Sequence, residues 1–193
     1  YGTVNNIVSE DCDLDDLNPQ SPYAETKIKE ENFVKNFNVE SGLKAVICRF
    51  GTIFGISPGI RFHTAVNKFC WQASLGLPLT VWETAYDQKR PYLELYDAYS
   101  AISFIIRNDL FDGEIYNILT YNKTVHQIVN TIKEFIPSLN INFVKSEIMN
   151  QLSYEVSTEK FESLGFVYKG NLKRSIYETL TLLNGLNDIV LDD

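Results

Sequence analysis

Apolar residues in this chain fall into short continuous blocks and helical stripes, separated by glycine, proline and asparagine. Leu43 to Phe50 is the clearest block. It lies between Gly42 and Gly51 and reads as a buried strand of the kind found in parallel sheets. Before it, Pro22 to Phe37 is charged and helix-prone, with Ser21 as N-cap and Pro22 at the first helical position. After it, the pattern predicts an amphipathic helix over 62–75, a short strand at 79–82 and another at 90–95. A helix capped by Asp97 then runs to Asn108, followed by a strand at 114–119 and a helix from Thr124 to Ile136. Residues 141–145 are strand-like, and two short helices close the chain near 158–164 and 172–183. Residues 1–21, acidic and rich in asparagine, read as a loop.

Alternating strands and helices define an α/β protein. Helix, short turn and buried strand form half of a Rossmann-like unit. The carboxyl edge of such a sheet, where Gly51-Thr52-Ile53-Phe54-Gly55 leaves the strand, is where ligands bind. Composition agrees with one or two compact lobes. The 193 residues are 45% hydrophobic and 13% aromatic, which excludes disorder. A net charge of −8 and a pI of about 4.8 disfavour nucleic acid and anionic membrane as partners. A local arginine can still bind an anionic small ligand. Cys12, Cys48 and Cys70 are odd in number and widely spaced, without a metal or disulfide pattern, so a reducing cytoplasm is expected. No apolar run reaches the length of a membrane span.

Tyr23-Ala24-Glu25-Thr26-Lys27 carries the most chemistry. Residues four apart on a helix share a face. An ammonium beside a phenol favours the phenolate, which suits a general acid/base acting on a hydroxyl or carbonyl. Taken alone, the pair also describes an exposed Tyr and Lys on a charged helix. Arg61 and Arg90 are the candidate anion ligands, because guanidinium can bind an anion bidentately. Trp71, Trp82 and Tyr99 read as core residues in preference to nucleotide-stacking ones. His63 and His126 are isolated, with no metal role.

Several segments in order resemble the extended short-chain dehydrogenase/reductase family, the NAD-dependent epimerases and dehydratases of nucleotide sugars. Ser21-Pro22-Tyr23-Ala24-Glu25-Thr26-Lys27 matches that family's P-Y-x-x-x-K signature. Tyr1-Gly2 resembles the dipeptide ending its catalytic-serine strand. Arg49 to Gly55 resembles R-x-x-N-x-Y-G, with Thr52 in place of Asn. Ser57 to Phe62 resembles S-P-R-M-R-F. Arg90 to Asp97 resembles R-P-x-V-H-V-x-D, with Glu94 in place of His. Glu114 to Ile118 resembles the V-F-N-V strand, and Lys160 to Phe166 the K-x-x-x-x-L-G-F near the family's end. Near Ser153-Tyr154, Leu152 stands where the family often has a phosphate-gripping Arg.

The resemblance implies a fold, a cofactor and roles. The chain would be the C-terminal part of a Rossmann-like parallel sheet with a smaller α/β substrate-binding lobe. Residues 1–55 and 90–118 would belong to the NAD-binding domain, and 56–89 and 119–193 to the substrate lobe. NAD or NADP would be the cofactor, although the family's glycine-rich G-x-x-G-x-x-G loop is not in the sequence. The chain, starting at Tyr1 rather than Met, is therefore expected to be the back half of an enzyme. Tyr23 would be the catalytic acid/base and Lys27 the ligand of the nicotinamide ribose. Phe50 and Gly51 would line the nicotinamide pocket, while Thr52, Arg61 and Arg90 would face the nucleotide-sugar diphosphate. A homodimer is expected through the Tyr23 helix, with Asn32, Phe33 and Phe37 as contact positions. The competing expectation is a non-catalytic scaffold of the same fold that binds a nucleotide or a protein.

Overall fold

A computed structural model describes residues 1, 7–12, 17, 19, 21–145 and 153–188. Leu152 lies outside them. Strand β1 (Ile7–Val8) opens the fold, within the stretch expected to be a loop. Helix α1 (Pro22–Ser41) follows, four residues longer than expected. Its cap is the expected one, since Ala24 N donates to Ser21 Oγ at 3.2 Å. Gly42, at φ +67°, takes the left-handed conformation that ends a helix.

Strand β2 (Ile47–Phe50) is half the length of the apolar block that predicted it. Leu43 to Val46 cross from the helix to the sheet instead, because the partner strand begins only at Ile115. Then come β3 (Thr52–Phe54), α2 (Ala65–Ser74), β4 (Leu79–Trp82), β5 (Lys89–Glu94), α3 (Leu95–Arg107), β6 (Ile115–Ile118) and β7 (Tyr121–Thr124). Helix α4 (Val125–Lys133) begins with a reciprocal cap. Gln127 N donates to Thr124 Oγ1 at 3.1 Å, and Thr124 N to Gln127 Oε1 at 3.0 Å. Strands β8 (Ile141–Val144) and β9 (Glu155–Val156) and helices α5 (Glu159–Ser163) and α6 (Leu172–Asp188) complete the described chain.

The pairings β1–β9, β2–β6, β3–β5 and β4–β8 are parallel, and β5–β7 is antiparallel. The mixed α/β class expected from the alternation is the class observed. Strand β5 serves two cores because successive side chains point to opposite faces. Tyr92 joins a cluster of Phe54, Val66, Phe69, Leu79, Ile128 and Ile176, packed by α2, α4 and α6. Leu93 joins Ala101, Ile105, Tyr116, Ile118 and Phe161, packed by α3 and α5.

Two expectations fail here. Asp97 does not cap α3: the helix starts at Leu95 with Glu94 in the cap position, and Asp97 is fully buried in the first turn. Its carboxylate accepts from Thr120 Oγ1 at 2.8 Å, Lys169 N at 2.9 Å and Gly170 N at 3.0 Å. Glu94 accepts from Asn171 N at 2.6 Å and from the Ser175 hydroxyl. Trp71, Trp82 and Tyr99 are not core residues either. They are 39%, 46% and 66% exposed, because the apolar stripe of each element turns a different edge inward.

The two carboxylates leave no space around Gly170. A Cβ there would stand 2.6 Å from both Asp97 Oδ2 and Thr120 Cγ2, and would overlap Glu94 Oε2. Gly170→Ala is expected to destabilise the chain by about 2–4 kcal/mol, read from urea unfolding. A loss under ~0.5 kcal/mol would show that the loop relaxes freely.

Candidate active site

The first turns of α1 face the carboxyl end of β2 across a cleft of about 520 Å³. Tyr23, Lys27, Phe50 and Gly51 line it, together with Glu31, Cys48, Arg49, Asn117 and Tyr154. Four of the seven expected site residues therefore share one cavity. Tyr23 and Lys27 stand on one helical stripe, and Lys27 Nζ lies 5.7 Å from the centroid of the Tyr23 ring. The ammonium also donates to Glu30 Oε2 at 2.6 Å, and that hydrogen bond raises its pKa. Both side chains face solvent, Tyr23 at 72%.

The opposite wall is more ordered. Arg49 Nε and Nη2 grip the two carboxylate oxygens of Glu31 at 2.9 and 2.6 Å. Arg49 also lies over the Tyr1 ring, 4.8 Å from its centroid. Tyr1 donates its hydroxyl to Asn117 Oδ1 at 2.6 Å, and burial pushes its phenol up to about 12. Asn117 is wholly buried and makes two further bonds, to Glu10 Oε1 at 2.6 Å and to the Ser157 carbonyl at 3.2 Å. Gly51 is tightly packed. A Cβ would lie 3.1 Å from Leu119 Cβ and from the Pro91 and Tyr92 backbone.

The other three expected residues lie outside this lining. Thr52 is half-buried in β3, in register with Tyr92. Arg61 is exposed, and its carbonyl accepts from Asn67 Nδ2 at 3.2 Å. Arg90 stacks on Tyr154 at 5.4 Å and donates to Gln88 Oε1 at 2.8 Å. It borders the cleft through Tyr154. Sequence reasoning passed over Glu31 and Asn117. Glu31 carried a signal, because it falls four residues beyond Lys27 on the same stripe. Asn117 is the asparagine of the segment likened to V-F-N-V, but its bonding was not legible locally, since its partners come from residues 1, 10 and 157.

The helix bearing Tyr23 and Lys27 thus faces the carboxyl end of the parallel β2–β6 pair. The sequence profile described as the NAD dependent epimerase/dehydratase family matches residues 1–118, and the chain belongs to that family. It is 25% identical over 178 residues to UDP-sulfoquinovose synthase of Sulfolobus acidocaldarius, covering 81% of this chain and 45% of that protein. It is likewise 25% identical over 178 residues to human dTDP-D-glucose 4,6-dehydratase, covering 84% and 48%. Among solved structures it is similar to UDP-glucuronic acid 4-epimerase from Bacillus cereus in complex with UDP-glucuronic acid and NAD. That match has a TM-score of 0.82 at 21% identity, over 96% of this chain and 59% of the other. The chain spans about half the length of the relatives it matches.

Cys48 offers a probe of the cleft. Burial pushes its thiol up to about 11 and that of Cys70 to about 12. Iodoacetamide labelling of Cys48 in the folded chain is expected to be slow at pH 8 and to rise about tenfold per pH unit towards pH 11. Cys70, fully buried, is expected to label only on unfolding. Labelling of Cys48 at the rate of a free thiol at pH 8 would mean that the cleft stands open to solvent.

Proposed function

We propose that this chain is the catalytic and substrate-binding portion of an NAD(P)-dependent epimerase or dehydratase acting on a nucleotide sugar. The observation that carries the reading is the convergence of Tyr23, Lys27, Phe50 and Gly51, from two separate parts of the sequence, on one cleft. The donors present suit the nicotinamide–ribose end of the cofactor: three ammonium hydrogens for ribose hydroxyls and a phenol beside them. Phe50 and Gly51 would flank the ring. The rest of the dinucleotide would be held outside this chain, which contains no glycine-rich loop.

When bound, the nicotinamide supplies a reversible hydride acceptor. Tyr23 Oη takes the proton of the sugar hydroxyl as its carbon is oxidised, and returns a proton when the carbonyl is reduced. Lys27 orients the ribose. Arg90, Arg61 and Thr52 would meet the diphosphate. Residues 1–55 with 90–118 would form the cofactor side, and 56–89 with 119–193 the substrate side. The stacked, exposed Phe33 and Phe37, with Asn32 between the same turns, would form a homodimer contact. Three free thiols suit a reducing cytoplasm.

One observation favours the scaffold alternative: Lys27 is already paired with Glu30. Kinetics separate the two readings. In the full natural polypeptide, Tyr23→Phe is expected to lower kcat by about 10²–10⁴-fold while the protein stays folded. Undiminished turnover would remove Tyr23 from the chemistry. The 193-residue chain by itself is expected to bind NAD poorly in calorimetry, and submicromolar affinity would contradict this assignment of the cofactor contacts.

A further inference from the structure

Helix α1 has a weak hold on the body of the protein. Among its described residues none is fully buried, and only Ala24, Ile28, Glu31 and Val34 are partly covered. Apolar packing therefore fixes its placement poorly, since burial of small or half-exposed side chains contributes little. One polar contact stands out against this. The two-pronged Glu31–Arg49 pair, 17% and 16% exposed, is the hydrogen-bonded tie between α1 and the sheet among the described residues. Two parallel bonds from a planar guanidinium fix orientation as well as distance. Burial opposes the Arg49 charge, and Glu31 and Tyr1 together more than offset it, so the guanidinium's pKa stays above its ordinary value.

Both ends of this tie adjoin the proposed chemistry. Glu31 lies one turn beyond Lys27 and two beyond Tyr23, on the same stripe. Arg49 immediately precedes Phe50, the last residue of β2, and Gly51 just beyond it. Arg49 is itself held, by the Tyr1 ring on its face, and Tyr1 is held by the buried Asn117. We propose that Glu31 and Arg49 are positioning residues, which set Tyr23 and Lys27 at their working distance from the Phe50–Gly51 strand end. This role rests on the reading of Tyr23 and Lys27 as the acid/base pair.

The test is steady-state kinetics of the full natural polypeptide carrying Arg49→Lys, which keeps the charge and loses the fork, and Glu31→Gln. Each is expected to lower kcat about 10–100-fold with the nucleotide-sugar KM within about threefold, since a misplacement near 1 Å costs about that much. The pH limb of kcat assigned to Tyr23 is expected to move, which a loss of stability alone would not cause. Glu31→Asp, the shorter carboxylate, is expected to fall between wild type and Glu31→Gln, and it serves where the other variants do not fold. Folded variants with wild-type kcat and an unmoved limb would overturn the positioning role. So would a lowered melting temperature as the sole effect. Tyr23→Phe separates the two failures. If it is inactive while Arg49→Lys is fully active, the positioning role alone is wrong. If it retains full turnover, the acid/base reading fails and takes the positioning role with it.

Discussion

Two buried carboxylates organise this fold. Glu94 and Asp97 sit three residues apart, where β5 turns into α3, and between them they accept the backbone N–H groups of Lys169, Gly170 and Asn171. Buried carboxylates need such donors, and the loop entering α6 has N–H groups that need acceptors. Each side satisfies the other. The contact brings the last helix back onto the central strand, so that Ile176 and Leu180 complete the larger core. Breaking it would expose unpaired charge and unpaired backbone together.

The candidate site lies at the margin of this framework. Gly51 is clamped from behind by Pro91, Tyr92 and Leu119, so the strand end it terminates is a rigid reference. Tyr23 and Lys27 approach from a helix with far less cover. The wall between them is made of half-buried Arg49 and Tyr1 and fully buried Asn117, each in contact with the next. A closely packed strand end, a polar wall and the exposed helix of Tyr23 and Lys27 together line one cleft.

Much of the layout was legible along the chain. The strands at Leu79–Trp82 and Ile115–Ile118 and the N-cap at Thr124 appeared where periodicity and cap chemistry placed them, although the helix after Thr124 ends at Lys133, three residues early. The Tyr–Lys stripe was legible because helical spacing is a local property. What escaped was set by distant partners. Strands β1 and β9 are two residues long and exist through pairing with each other. Asp97 looked like a cap by local rules and became an anchor because residues 169 and 170 reach it across the fold. The tryptophans looked buried because they are large, yet which face of an element turns inward is decided by its neighbours. Arg90 and Arg61 were read as diphosphate ligands from guanidinium chemistry and from the family resemblance. Arg90 does border the cleft, while Arg61 belongs to a separate exposed segment.

The thin cover over α1 has a consequence for how the protein fails. Hydrogen exchange and proteolysis resolve proteins into cooperative units that open at different free energies, and units with few buried side chains open first. Here that unit would be the helix bearing Tyr23 and Lys27, while both cores remain closed. Warming would then abolish the chemistry well before the heat-capacity peak of global unfolding. Function and fold would have separate melting points, and a ligand bridging α1 to the strand end would draw them together.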